Sequence, residues 1–441
     1  MKPGTARLVL VAFAALAVPG GARAQSNGWG RVSLFLQGSQ SRPEDGGSSF
    51  SSNEAVATLT VKSAERDENG FEYAFDGRGS TYGAGGDDDR QNRFSLWDAW
   101  AGGRFSKGRI GVRVGQQWIT DLGGLGSVGG ALVEVRGRKG KGKRKLRPRF
   151  GLFGGLEPKG WEAGWVSGVK KGGAYAALDG DRGQRHVLGF VTIRNSGLTE
   201  RSVLSTTNFI PVGKNLFFYV AGEYDVAQPG GQADAGLSYA FVNARWAVSS
   251  RVELQGLYHR GHSYDARTLT QDQIDGRPVD PRLLSGFLYE SAGGRVTVEV
   301  ARGVRIFAGY ASDRGNRDDG STGRITAGFH ASNVFRSGVD VTLSDNRIDR
   351  PEGAYDSWYA SVGRSFGGKA YVSLDYATAL SVLRFTGGDG VVVESRPRTK
   401  RFSLNGSVNV GRSVSILFTA ERGTDDFATD LRGNLGLSVR F

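Results

Sequence analysis

The chain has 441 residues, with 57 Lys and Arg against 44 Asp and Glu, a net charge of +13, 69 Gly, 11 Pro and no Cys. Without cysteine there is no disulfide, thiol-linked haem or thiolate metal centre, and a mean hydropathy of -0.33 excludes a bundle of membrane helices. The basic excess suits nucleic acid, acidic headgroups or an anionic solute.

Lys2 and Arg7 precede an apolar run from Leu8 to Val18, and Pro19, Gly20, Gly21 and Ala22-Arg23-Ala24 follow. This pattern predicts a secretory signal peptide over residues 1–24, cut before Gln25, and export leaves nucleic acid as the least fitting partner. No linker or shift in composition divides the remainder, so residues 25–441 are expected to form one domain.

From Trp29 onward the apolar residues keep a period of two. The clearest runs are Val32–Leu36, Ile110–Val114, Val252–Tyr258, Val296–Val300, Val304–Tyr310, Val339–Leu343, Ala370–Tyr376, Phe402–Val410 and Val414–Ala420. Tight connections at 65–69, 106–108, 211–215, 249–250, 302–303, 335–336, 367–368 and 411–413 alternate with longer polar loops at 40–52, 80–93, 226–233, 263–284, 315–321, 348–354, 380–399 and 423–430. A soluble sandwich shows no such short-long rhythm, whereas strands that cross a membrane and return do.

The chain closes on Asn434-Leu435-Gly436-Leu437-Ser438-Val439-Arg440-Phe441, with Leu435, Leu437, Val439 and Phe441 on one face. This segment resembles the C-terminal signal strand of Gram-negative outer-membrane β-barrels. The resemblance implies an all-β, transmembrane antiparallel β-barrel in which Asn434, Gly436, Val439 and Phe441 act as an assembly signal for the barrel assembly machinery. It also implies an outer face in contact with outer-membrane lipid and lipopolysaccharide, short turns in the periplasm, and longer loops outside.

Counting from both ends gives about 22 strands, within an even range of 18 to 24. Between residues 119 and 199 five candidate strands appear where parity needs four or six. The glycine-rich stretch Asp121 to Gly130 is the candidate for a loop folded into the lumen, with an ordinary loop as the commoner alternative. Strands begin near Trp29, which leaves no room for an N-terminal plug like that of siderophore receptors, so the barrel is expected to be open or narrowed by its own loops.

If the apolar parity faces lipid, Arg31, Arg113, Arg295, Arg305, Arg324, Arg401 and Arg432 face the lumen, with Asp340, Asp375, Glu253, Glu299 and Glu421. Fixed guanidinium groups in a confined aqueous pore can hold carboxylate, phosphate or sulfate in a bidentate fashion. Cross-strand pairing of charges that keeps the interior wet is the bland alternative. The run Arg136 to Arg149 is the densest basic segment and reads as a solvated or headgroup-facing loop, of undetermined side. Trp29, Trp97, Trp100, Trp118, Trp161, Trp165, Trp246 and Trp358 suit interfacial girdles, and some could stack on saccharide.

Catalytic and metal readings are weak. His330 and Ser332 are faintly similar to the His-x-Ser pair of outer-membrane phospholipase A, but Val334 replaces that family's glycine. His259 and His262 would point to opposite faces of a strand, and Asp87-Asp88-Asp89 reads as a solvated loop, so no metal or cofactor is expected. Finally, Gly111-Val112-Arg113-Val114-Gly115-Gln116-Gln117 and the glycine-rich stretch after it resemble the porin group that includes alginate-export-like channels, with Gln116 where that family has arginine. The resemblance implies a passive channel for small or anionic solutes, and an acidic saccharide or polysaccharide as cargo with envelope export partners. A structural barrel within a larger export, motility or electron-conduit assembly is the alternative.

Overall fold

The structure is a computed structural model that describes residues 28–64, 67–84, 91–138, 146–160, 162–227, 236–263, 265–278, 286–316, 320–386 and 392–441. The expected signal peptide, Asp87-Asp88-Asp89, Trp161 and the centre of the basic run lie outside these residues.

The strands are β1 (Gly28–Pro43), β2 (Phe50–Ser63), β3 (Gly70–Ala84), β4 (Gln91–Phe105), β5 (Ile110–Trp118), β6 (Ser127–Arg136), β7 (Arg147–Pro158) and β8 (Trp165–Asp179). They continue with β9 (Arg185–Asn195), β10 (Leu198–Val212), β11 (Leu216–Ala227), β12 (Gly236–Ala247), β13 (Val252–Ser263), β14 (Phe287–Ala301), β15 (Val304–Gly315) and β16 (Thr322–Val334). The last are β17 (Val339–Arg350), β18 (Gly353–Phe366), β19 (Ala370–Thr386), β20 (Val392–Ser395), β21 (Arg398–Val410), β22 (Val414–Thr424) and β23 (Ala428–Arg440). A helix α1 (Ala266–Ile274) lies between β13 and β14.

Successive strands pair antiparallel, and β1 pairs with both β2 and β23, which closes the wall. The four-residue β20 only extends the β19 hairpin, since β19 pairs directly with β21, so the result is a closed antiparallel barrel of 22 strands. Closure leaves no exposed sheet edge. Four strands, β6 to β9, cross between residues 119 and 199, so the surplus candidate there is not a strand.

Both ends of the described chain, Gly28 and Phe441, sit at one end of the barrel with the tight connections; that end is called here the Phe441 end. Strands overrun several expected loops: β17 and β18 are joined by Pro351 and Glu352 alone, and β22 and β23 by residues 425–427. On the outer face Val114, Leu152, Leu188, Ile306, Ile325 and Leu374 are exposed, with Leu152 at 67%. An apolar band of this extent needs lipid, because water would not tolerate it.

The apolar interior is local. Ile119, Leu122, Leu125, Val128, Leu132, Phe153, Val169, Tyr175, Val187, Val191, Ile193 and Val203 form one buried cluster inside the sector β5–β10. There the strands carry apolar residues on both faces, as in β9, where Val187, Val191 and Ile193 are buried and Leu188 and Phe190 are exposed. A double-faced apolar strand means a second covering layer.

Candidate functional site: a partly occluded lumen

That layer is the segment after β5. Instead of standing above the wall, Thr120–Gly126 turns inward as a short 3-10 segment whose Asp121, Leu122, Leu125 and Gly126 are buried. It closes on itself through Ile119 N–H to the Gly126 carbonyl, 2.9 Å, and Leu122 N–H to the Ile119 carbonyl, 3.0 Å. Gly123 takes φ +56 and ψ -132 within it, a conformation that favours glycine. The segment packs against the inner faces of β8, β9 and β10 on the same side of the barrel, and a Cβ at Gly189 would overlap Leu122. The inward fold thus covers 120–126 only: Ser127–Gly130, expected to belong to the same loop, is already β6, where Ser127 pairs with Trp118. The favoured ordinary-loop alternative does not hold for 120–126.

A paired ionic network moors the segment near the Phe441 end. Arg149 reaches Asp121 at 2.8 and 3.1 Å, Glu134 at 2.9 Å and Asp179 at 2.5 Å. Glu134 also accepts from Arg136 at 2.6 Å, Tyr175 at 2.6 Å and Arg104 at 3.5 Å, while Glu72 takes Arg104 at 2.7 Å and Arg113 at 3.4 Å. Arg185 bridges Asp121 and Asp179. Burial of this many charges is tolerable only because each has opposite charges within hydrogen-bond reach.

Toward the far end, α1 folds into the mouth. Asp265 caps it by accepting from the Thr268 amide at 3.0 Å and hydroxyl at 2.6 Å, which holds the Asp265 carboxyl below its usual range. Leu269 and Thr270 are buried, and Arg267 spans the mouth to Glu200 on β10 at 2.6 Å and Glu157 on β7 at 2.5 Å. Between the inward segment, α1 and strands β7–β14 lies a cavity of about 930 Å3, lined by Leu122, Lys171, Arg201, Glu223, Tyr219 and Tyr289 among others. Arg201 there holds Asp225 at 2.6 Å, Glu223 at 3.1 Å and Ser238 at 2.9 Å.

The seven candidate arginines all keep the inner parity but do not form one ring. Arg31, Arg113 and Arg305 stand near the Phe441 end, Arg324, Arg401 and Arg432 near the far end, and Arg295 between. Arg113 pairs with Glu72 and lies 4.5 Å over Trp100; Arg295 lies 3.9 Å over Phe307. Arg305 pairs with Glu299 at 3.7 Å, Arg324 with Asp313 at 3.4 Å, Arg401 with Glu421 at 3.4 Å and Arg432 with Asp430 at 3.9 Å. Of the other expected lumen acids, Glu253 meets Arg245 at 2.6 Å, Asp375 accepts from Tyr359 at 3.0 Å and Asp340 accepts the Asn333 amide at 2.9 Å.

Of the residues that organise the lumen, Asp121 opened the stretch expected to fold inward and Arg149 closed the basic run expected to be a solvated or headgroup-facing loop, though it is buried against Asp121; Glu134, Arg201 and Arg267 were not singled out from sequence. Their sequence signal is the doubled apolar pattern of β6 and β9, which marks where something packs inside. Trp100, expected in an outer girdle, stacks instead on the inward Arg113. Trp29, Trp97, Trp118, Trp165, Trp246 and Trp358 are exposed.

The basic run is split by its flanking strands: Arg136 ends β6 and Arg147 begins β7, both at the Phe441 end, where Arg147 pairs with Asp67 at 2.6 Å. In the segment that resembles alginate-export-like channels, Gln116 donates its amide to the Leu96 carbonyl on β4. At the seam, Asn434 pairs with Gln37 and Thr419, Gly436 with Phe35 and Leu417, and Val439 with Val32 and Val414. Phe441 exchanges backbone bonds with Gly30 at 2.7 and 3.0 Å. His330 bonds Thr342 at 2.9 Å and Ser332 donates to the Gly303 carbonyl at 3.2 Å, so each is engaged elsewhere than with the other. Among the described residues no cluster of His, Asp or Glu could hold a metal.

No family model matches the chain, and no curated protein matches it. Among solved structures it is similar to the translocation pore of the P pilus usher PapC, at 12% identity and a TM-score of 0.46 over 93% of this chain and 99% of that one. It is also similar to Pseudomonas aeruginosa OccK7 (OpdD), at 10% identity and a TM-score of 0.44 over 94% and 99%, and to Pseudomonas aeruginosa OpdQ, at 9% and 0.43 over 94% and 98%. The structural neighbours are outer-membrane β-barrel channels.

Proposed function

We propose that the protein is a passive outer-membrane channel for small hydrophilic solutes, with a weak preference for anions. The observation that carries this reading is a closed 22-strand wall that, among the described residues, is occluded by the segment 120–126 and α1 over one sector, beside the strands β7–β14. A barrel of this strand number encloses more space than wall side chains fill. The Phe441 end then faces the periplasm and α1 the outside, as short periplasmic turns require. The anion preference is weak because six of the seven candidate arginines already stand beside a carboxylate or an aromatic ring. An acidic saccharide, the cargo that the resemblance implies, would meet mostly neutralised guanidinium groups.

The outer apolar band suits outer-membrane lipid, with lipopolysaccharide at the α1 end, and the seam strand is the proposed mark for the assembly machinery. The test is single-channel conductance of the mature chain in a planar bilayer under a salt gradient. Discrete steps with a small reversal potential toward anion selectivity are expected. A folded but silent barrel overturns the reading and points to a partner that fills the lumen.

A further inference from the structure

The inner wall of β10–β14 carries a continuous series of aromatic rings that neither the ionic network nor the seam uses. Phe217 lies 6.3 Å from Phe209, and Phe209 lies 4.7 Å from Tyr219. Tyr219 is 5.6 Å from Phe241, and His259 is 6.2 Å from Phe241 and 5.7 Å from Tyr239. His259 is then 5.8 Å from Tyr289. Phe217 is the second residue of β11 at the Phe441 end, and Tyr289 is the third of β14 at the far end, so the series climbs nearly the whole wall.

These rings are half-buried rather than packed away, and Tyr219, Tyr239 and Tyr289 line the 930 Å3 cavity. Their companions on the same wall are hydroxyl-bearing and charged: Ser205, Thr207, Ser238, Glu223 and Arg201. The three bases there stand against four acids. Arg201 holds Asp225 and Glu223, Arg267 holds Glu200 and Glu157, and Lys171 lies within electrostatic reach of Glu157, Glu200 and Glu223.

We infer that this aromatic wall is a track for a neutral linear oligosaccharide. A pyranose ring presents C–H faces that pack on aromatic rings and a rim of hydroxyls that needs donors and acceptors of both kinds. The wall offers both, at ring-to-ring steps comparable with one sugar unit. An aromatic or uronic acid would need a cation with charge to spare, and the bases along the track are matched by acids. The inference rests on the channel reading and names the class of solute that the partly occluded sector recognises.

The test adds maltohexaose, a neutral glucose hexamer, to the conducting channel and records interruptions of current, with a galacturonic acid hexamer for comparison. Transient blockades by maltohexaose, scaling with its concentration, are expected. The double variant Tyr219→Ala and Phe241→Ala should shorten them roughly tenfold, the equivalent of about 1.4 kcal/mol, since both rings leave the middle of the track. His259→Ala should shorten them less, and is the single variant to use if the double one fails to fold. Trp246→Ala, on the outer face, should leave conductance and blockade unchanged. A conducting barrel that maltohexaose does not block, that only the acidic hexamer blocks, or whose blockades survive these inner-face variants overturns the track and leaves the channel reading standing. If the barrel is silent, the channel reading falls, and calorimetric titration of maltohexaose into the detergent-solubilised protein decides: heat of binding lost in the variants supports the track, and its absence in the parent overturns it.

Discussion

Arg149 on the barrel wall grips Asp121 on the inward segment with both arms of its guanidinium, at 2.8 and 3.1 Å, so the occluding element is fastened by a bidentate pair buried inside the barrel. The two ends of that pair are not equivalent. Asp121→Asn removes one carboxylate from an arginine that keeps Glu134 and Asp179, and is expected to cost about 1.5–3 kcal/mol, the range for a hydrogen bond to a charged group. Arg149→Met takes from Asp121, Glu134 and Asp179 the one cation they share and should cost about 3–5 kcal/mol. Urea unfolding in detergent micelles compares them; a costlier Asp121→Asn would mean that Arg149 is not the hub.

The segment's apolar contact gives a second handle. Leu122 packs where a Cβ of Gly189 would be, so Gly189→Val should push the segment off the wall, whereas Leu122→Ala should leave it moored by Asp121 with a void beneath. Leu122→Ala is expected to cost about 2–5 kcal/mol with little change in current. Gly189→Val is expected to raise single-channel conductance, because it frees lumen cross-section. Equal conductance in parent and Gly189→Val would show that the segment does not limit the pore.

The wall was legible from sequence because a strand between lipid and water must alternate, and the tight turns then fix direction. Val304, Ile306, Ala308 and Tyr310 show this directly, and their partners on β16 keep the same parity. The contents of the lumen were legible only in part: the glycine-rich stretch from Asp121 marked the inward segment, but not what it packs against, since inward packing adds apolar residues to the other face and erases the period. Phe217 and Phe218, or Phe241 and Val242, read as unbroken apolar runs, and only the register separates the ring that faces the lumen from its neighbour that faces lipid. The short hairpins at 351–352 and 425–427 were hidden for a different reason: beyond the lipid zone both faces are polar, so strand and loop share one composition.

The helix at the mouth carries its own pH dependence. Hydrogen bonds from Thr268 hold the Asp265 carboxyl below its ordinary value, so the charged cap is fully formed above the unfolded value of about 3.9 and is lost as pH falls through the lower folded value. Conductance should therefore be insensitive to this cap between about pH 5 and 8 and change only in stronger acid. Asp265→Ala should release α1 at neutral pH, at a cost of about 1 kcal/mol. Faster proteolysis of residues 265–278 in that variant, with the barrel itself intact, is the readout; equal rates would assign the helix's placement to Arg267 and the buried Leu269 and Thr270 rather than to the cap.

Closure of the barrel depends on one more close approach. Gly30 and Phe441 exchange both backbone hydrogen bonds, and a Cβ at Gly30 would fall inside the Phe441 ring, so the terminal side chain fills the space that the glycine leaves open. Gly30→Val should therefore strain the seam with the terminal strand intact, and deletion of Phe441 should remove the ring and its backbone bonds together. Both should lower the yield of folded barrel, read as the form that keeps compact mobility in unheated electrophoresis. Refolding into detergent and assembly in cells separate two roles for Phe441. A deletion that refolds well in detergent but fails in cells makes Phe441 a mark read by the assembly machinery, whereas failure in both makes it a structural plug of the seam. Gly30→Val serves as the comparison, because it disturbs the same contact and leaves the C-terminal residue in place.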